Sequence, residues 1–146
     1  MQPRFVRPVL LAAFLCTLAQ ARASAEVRIL SSPGGEVGSF LTLFELLRRS
    51  GERVVIDGPC LSACTLVLSM LPQNQICVTR RAVFGFHAAR SLDTYGRTMP
   101  EPEASKLVLE TYPSAVRDWI RRRGGLSSRL LLLRGRELAR MLPACR

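Results

Sequence analysis

Gly58-Pro59-Cys60-Leu61-Ser62-Ala63-Cys64-Thr65 is the stretch on which the reading of this chain turns. It follows the compact β-branched run Arg53-Val54-Val55-Ile56-Asp57 and precedes an apolar segment that continues to Leu71. It therefore reads as the turn where a buried strand ends and a buried helix, Leu61 to Leu71, begins. Ser62 then lies in the first helical turn, at the positive end of the helix dipole, among backbone N–H groups with no partner inside the helix. A hydroxyl there stands beside donors that can hold a developing oxyanion.

Upstream, Val27 to Leu30 predicts a strand that stops at the glycine turn Ser31-Ser32-Pro33-Gly34-Gly35. From Phe40 to Leu47 the apolar residues form a broad helical face, closed by Arg48-Arg49 and stopped by Gly51. Downstream, Gln75 to Thr79 and Ala82 to His87 read as two further short strands. Strands alternating with helices predict an α/β fold with short parallel strands, whose ligands lie beyond the carboxyl ends of the strands. Gly34-Gly35, Ser62 and His87 then fall on one side. Ser91 to Pro102 is polar and turn-rich, an exposed loop over the same edge and a candidate lid. Helices are expected over Glu103 to Thr111 and Ser114 to Arg123, the second anchored by Trp119-Ile120. Leu130 to Leu133 follow as a strand or helical turn, and a final helix through Leu138, Met141 and Leu142 is tied down by Cys145.

The chain of 146 residues is long enough for one core. Its start is read as something else: Arg4 and Arg7, the apolar run Pro8 to Ala19 and the small residues Ala23-Ser24-Ala25 describe a secretory signal peptide over residues 1–25, with one domain over 26–146. The apolar run is shorter than the roughly 20 residues a membrane span needs, so no stable span is expected. Export to the periplasm or medium changes the meaning of the cysteines. Cys16 leaves with the peptide, and Cys60, Cys64, Cys77 and Cys145 remain, an even number in an oxidising compartment. Three connectivities are open. The one adopted joins Cys64 to Cys77, fastening the helix after Ser62 to the next strand, and Cys60 to Cys145, closing a long loop. Cys60 and Cys64 have a spacing that suits a metal, but Cys77 and Cys145 form no second close pair, so neither metal nor cofactor is expected. The net charge of +10 falls to +7 without Arg4, Arg7 and Arg22, and Lys106 is the only lysine. With no aromatic residues interleaved among the arginines to stack bases, nucleic acid is not an expected partner.

Ser32-Pro33-Gly34-Gly35, a serine heading a helix after a strand, and a histidine ending a later strand resemble the ClpP/crotonase superfamily, above all its small exported ClpP-like members. The similarity covers Val27 to His87. It implies that Ser62 is the nucleophile and His87, the only histidine, its general base, with the backbone N–H groups of Gly35 and Ala63 as the oxyanion hole. The chain departs from the pattern in three places. The first strand-helix unit is missing, which leaves the sheet edge open to a homo-oligomeric copy or another partner. The position of the family's aspartate is taken by leucines near Leu130 to Leu133, and Asp118 and Glu137, the only late carboxylates, are out of register. Cysteines flank the serine. Two functions follow: an exported serine hydrolase acting on a peptide or acyl substrate through a Ser62–His87 dyad, or a ClpP-like binding or structural module without catalysis. Anion binding by the arginine-rich carboxyl-terminal segment fits either.

Overall fold

The computed structural model describes residues 25–146; the signal sequence read over residues 1–25 lies, but for Ala25, outside them. The chain runs β1 (Glu26–Ile29), α1 (Val37–Ser50), β2 (Arg53–Ile56) and β3 (Pro59–Leu61), then a 3₁₀ turn (Ser62–Leu66) that leads into α2 (Val67–Met70). After β4 (Ile76–Val78) and β5 (Val83–Phe86) come β6 (Arg90–Leu92), β7 (Thr98–Pro100), α3 (Pro102–Thr111), α4 (Ser114–Arg122), β8 (Leu131–Arg134) and α5 (Gly135–Ala139). The α/β reading holds in its coarse form, as a mixed fold of small sheets and helices.

One three-stranded sheet has the order β1-β2-β4 and is parallel throughout. A second has the order β3-β5-β8, with β3 parallel to β5 and β8 antiparallel to it. Two features correct the sequence reading. The expected uniform parallel arrangement ends at β8, where the leucines pair Leu133 with Phe84 and Leu131 with Phe86. The expected loop over Ser91 to Pro102 contains the hairpin β6-β7, whose turn is built by Asp93: its carboxylate accepts the Tyr95 and Arg97 N–H groups at 2.9 and 2.8 Å and pairs with the Arg97 guanidinium at 2.7 Å.

The two larger sheets are joined by the chain itself. Beyond β1, Ser32 bridges to Cys60, donating its N–H to the Pro59 carbonyl at 2.7 Å and accepting from the Leu61 N–H at 2.9 Å. The β1 chain thus pairs with β2 in one sheet and with β3 in the other. Gly58 makes this crossing feasible, since a Cβ there would lie 1.9 Å from the Leu30 carbonyl oxygen. This is why the segment read as a turn at Pro59 is a strand: without a side chain at position 58 the chain slides past β1 and continues into the second sheet.

α1 is longer than its apolar face predicts. The Glu36 carboxylate accepts the N–H groups of Gly38 and Ser39 at 2.8 and 2.7 Å, starting the helix three residues before Phe40. Gly51 ends it as expected, at φ 73° with its N–H on the Leu47 carbonyl. One core runs through the described residues, with Phe44, Val54, Ile56, Val67, Phe84, Phe86, Trp119, Ile120 and Leu133 all at 2% exposure or less. Each such side chain contributes about 1.5–3 kcal/mol by leaving water. Asp57, buried at the end of β2, accepts from Thr79 Oγ1 at 2.6 Å, from Arg81 Nη2 at 2.6 Å and from Arg28 Nη1 at 3.0 Å, tying β1, β2 and the β4-β5 turn together. Arg81 above all, then Thr79, holds that carboxyl well below the usual carboxylate range.

The disulfide pairing expected from the sequence is wrong. The structure joins Cys60 to Cys64 and Cys77 to Cys145. Cys60 is in β3 rather than in a turn, so it stays within reach of Cys64 across the 3₁₀ turn. The chain end runs beside β4, where Val78 takes its N–H to the Pro143 carbonyl at 2.9 Å and Cys145 donates to the Val78 carbonyl at 3.1 Å. That register delivers Cys145 to Cys77. Two such bridges are compatible with an extracellular or periplasmic location, and no helix among the described residues is long and apolar enough to cross a membrane.

Candidate active site

The turn that carries Ser62 differs from the expected helix head. Leu61 ends β3 in extended conformation, Ser62 has φ 54°, and a 3₁₀ turn then delivers α2, only four residues long. Ser62 is the one non-glycine residue among those described with positive φ, a left-handed conformation that costs an L-residue about 1–2 kcal/mol. Such strain persists only where the surroundings enforce it, and such residues gather at functional sites. The helix dipole invoked from the sequence is correspondingly weak here, and any oxyanion stabilisation falls to individual N–H groups.

Two constraints hold the serine. The Cys60–Cys64 bridge closes a short ring around it. From the other side the Pro33-Gly34-Gly35 loop presses on it. A Cβ on Gly34 would lie 2.6 Å from Ser62 Cβ, 2.6 Å from the Leu61 carbonyl oxygen and 3.0 Å from the Ala63 nitrogen, and Gly34 itself has φ 87°. No other residue type fits both that space and that conformation.

The structure gathers the sequence-predicted residues. Gly35, Ser62 and His87 line one pocket of about 350 Å³, together with Pro33, Gly34, Val37, Ala89 and Arg90. Ala63 is buried against Gly34 just behind the pocket. Ser62 and His87 share the pocket without a direct hydrogen bond. Instead His87 Nδ1 lies 2.7 Å from the Ala88 carbonyl oxygen. A carbonyl only accepts, so Nδ1 carries the proton and Nε2 of the neutral ring is the free acceptor. This is the tautomer a general base needs. Behind it, Ala88 is fixed by its N–H bond to the Ser127 carbonyl at 2.8 Å, and Ala89 by its N–H bond to Ser105 Oγ at 2.8 Å.

Among the described residues no carboxylate bonds the imidazole. Asp118 lies on the solvent face of α4 beside Arg121, and Glu137 pairs with Arg123 at 2.6 Å. The leucines that occupy the expected position pair with β5, as their apolar character dictates. Behind the serine, Thr65 Oγ1 donates to the Ser62 carbonyl at 2.7 Å and shares a 2.6 Å contact with the Tyr112 hydroxyl, linking the turn to the end of α3. Burial pushes the Tyr112 phenol up to about 12. Among the described residues no cluster of His, Cys, Asp or Glu is arranged to hold a metal.

Sequence reasoning did not single out Ala88, whose carbonyl acts through the backbone and leaves no trace in residue type. Nor did it single out Arg90, one of 20 arginines with nothing in the surrounding sequence to mark it.

No family model matches the chain, and no curated protein matches it. Among solved structures, a mutant of ClpP1 from Listeria monocytogenes aligns over 80% of this chain and 86% of its own, at 13% identity and a TM-score of 0.39. That likeness concerns the fold at most, and the chemistry of the pocket is a matter for its own residues.

Proposed function

We propose that the chain is an exported serine hydrolase, a peptidase or a related acyl hydrolase, in which Ser62 is the nucleophile and His87 the general base. The observation that carries this reading is the enforced left-handed Ser62 opening into the pocket that also holds the only histidine. In the reaction His87 Nε2 takes the Ser62 hydroxyl proton as Oγ bonds to the substrate carbonyl carbon, and the N–H groups of Gly35 and Ala63 receive the negative charge that forms on oxygen. The bond to the leaving group then breaks and the same proton passes to it. Water, deprotonated in turn by His87, releases the acyl group and restores the hydroxyl. Throughout, the Ala88 carbonyl holds the ring in its working tautomer.

A neutral carbonyl stabilises the imidazolium less than a carboxylate does, so turnover is slow for a serine hydrolase. This same feature favours the second reading, a ClpP-like binding module without catalysis. Labelling with a fluorophosphonate probe separates the two. Wild type is labelled, Ser62→Ala is not, and His87→Ala is labelled at least about a hundredfold more slowly, as loss of a general base requires. Equal labelling of wild type and Ser62→Ala, or none of either, refutes the hydrolase.

A further inference from the structure

Resting on the serine hydrolase reading, we infer that Arg90 selects acyl groups bearing a carboxylate, so that the substrate is an acidic acyl donor such as a glutamyl peptide or a dicarboxylic half-ester. Arg90 is the charged residue of the pocket; the other walls are Pro33, Val37, Ala89 and the glycine loop beside Ser62 and His87. It stands at the first position of β6, where Arg90 is in register with Pro100 across the hairpin.

Its charge is uncommitted. The ion pairs of the described residues engage Arg28, Arg48, Arg49, Arg81, Arg97, Arg117, Arg121 and Arg123, and none engages Arg90. The carboxylates on the segments next to the pocket are otherwise employed: Asp93, three residues after Arg90, pairs with Arg97 at 2.7 Å. Glu36, next to the glycine loop, is held by the amino end of α1 and by the Ser39 hydroxyl at 2.7 Å. Glu101 accepts from Ser91 Oγ at 2.7 Å. The pocket lining therefore includes a guanidinium outside every ion pair of the described residues, together with Ser62, and no carboxylate. A planar guanidinium is the natural partner of a carboxylate, which it can grip with two parallel hydrogen bonds. A volume of about 350 Å³ has room for one short acyl chain, and the apolar walls Pro33, Val37 and Ala89 suit its methylenes.

The test compares two fluorogenic coumarin esters of equal length, the glutarate half-ester with a free carboxylate and its methyl-capped neutral counterpart. The wild-type protein hydrolyses the free acid with a kcat/KM about fivefold higher, the upper end of what an ion pair with an exposed guanidinium supplies. In Arg90→Gln the ratio falls to about one, and in Arg90→Glu it inverts. Added salt lowers the wild-type ratio and leaves that of Arg90→Gln unmoved. Thermal unfolding of each variant verifies that the fold is retained. A wild-type ratio of one or less, or one that Arg90→Gln leaves intact, overturns the inference. Where fluorophosphonate labelling of Ser62 succeeds and the ratio is flat, only the assignment of Arg90 has failed. Where labelling itself fails, the hydrolase reading falls and this inference with it.

Discussion

Consider the two disulfides removed separately, as Cys60→Ala with Cys64→Ala and as Cys77→Ala with Cys145→Ala. The bridges close loops of very different length, with sequence separations of 4 and 68 residues. In the chain-entropy account the short loop is worth about 2 kcal/mol and the long one about 4 kcal/mol. With a urea dependence of about 1.5 kcal/mol/M, the unfolding midpoint falls by roughly 1 M without the short bridge and roughly 3 M without the long one. Fluorophosphonate labelling, measured well below either midpoint, reverses the order. The Cys60–Cys64 ring encloses the strained Ser62, so its loss lets the serine relax toward ordinary backbone conformations. A penalty of about 1–2 kcal/mol for the left-handed state then lowers the labelling rate by about tenfold. The Cys77–Cys145 bridge lies at the edge of β4, away from the pocket, and its removal leaves the rate of the folded protein unchanged. Equal falls in midpoint, or a labelling rate that follows the long bridge, would refute the division of labour between the two.

At position 62 itself, Ser62→Gly and Ser62→Ala both abolish labelling, but the glycine variant is the more stable by about 1 kcal/mol in urea unfolding, because glycine adopts positive φ without a Cβ penalty; an alanine variant at least as stable would deny the left-handed geometry. Burial raises the Tyr112 phenol from 10 to about 12, so below pH 10 it leaves stability untouched, and between pH 10 and about 12 the unfolded chain ionises first and stability falls. Tyr112→Phe lowers stability at neutral pH by about 1 kcal/mol through the lost Thr65 hydrogen bond and flattens that alkaline decline, both read from unfolding midpoints across pH.

What could be read in the sequence follows from which forces are local. The apolar stripe of α1, its glycine stop and the β-branched run of β2 announce themselves, because side-chain burial repeats with the backbone period. The three pieces of the pocket were legible because each ends or begins an element. The strand at Pro59–Leu61 was not, since it depends on Gly58 passing within a carbonyl's width of Leu30, a contact between segments far apart in the chain. The disulfide error follows from that one. With Cys60 placed in a turn, Cys64 appeared free to reach Cys77; with Cys60 in β3, the two nearest cysteines meet across the serine. The long apolar segment after Ser62 predicted a helix on composition, yet the bridge and the left-handed serine shorten it to a 3₁₀ turn and a single α turn.

The Gly58 crossing also makes the place of Ser62 a matter of counting. Because the β1 chain is hydrogen-bonded into both sheets, the two residues Asp57 and Gly58, between the end of β2 and the start of β3, are a spacer of fixed length. Inserting or deleting one residue there would leave β2 in place and turn every side chain of β3 to the opposite face. Cys60 would swing out of the core and Ser62 away from His87, with no chemical group altered. The meeting of Ser62 and His87 in one pocket is thus stored in this chain as a distance along the backbone, and a frame of one residue is enough to erase it.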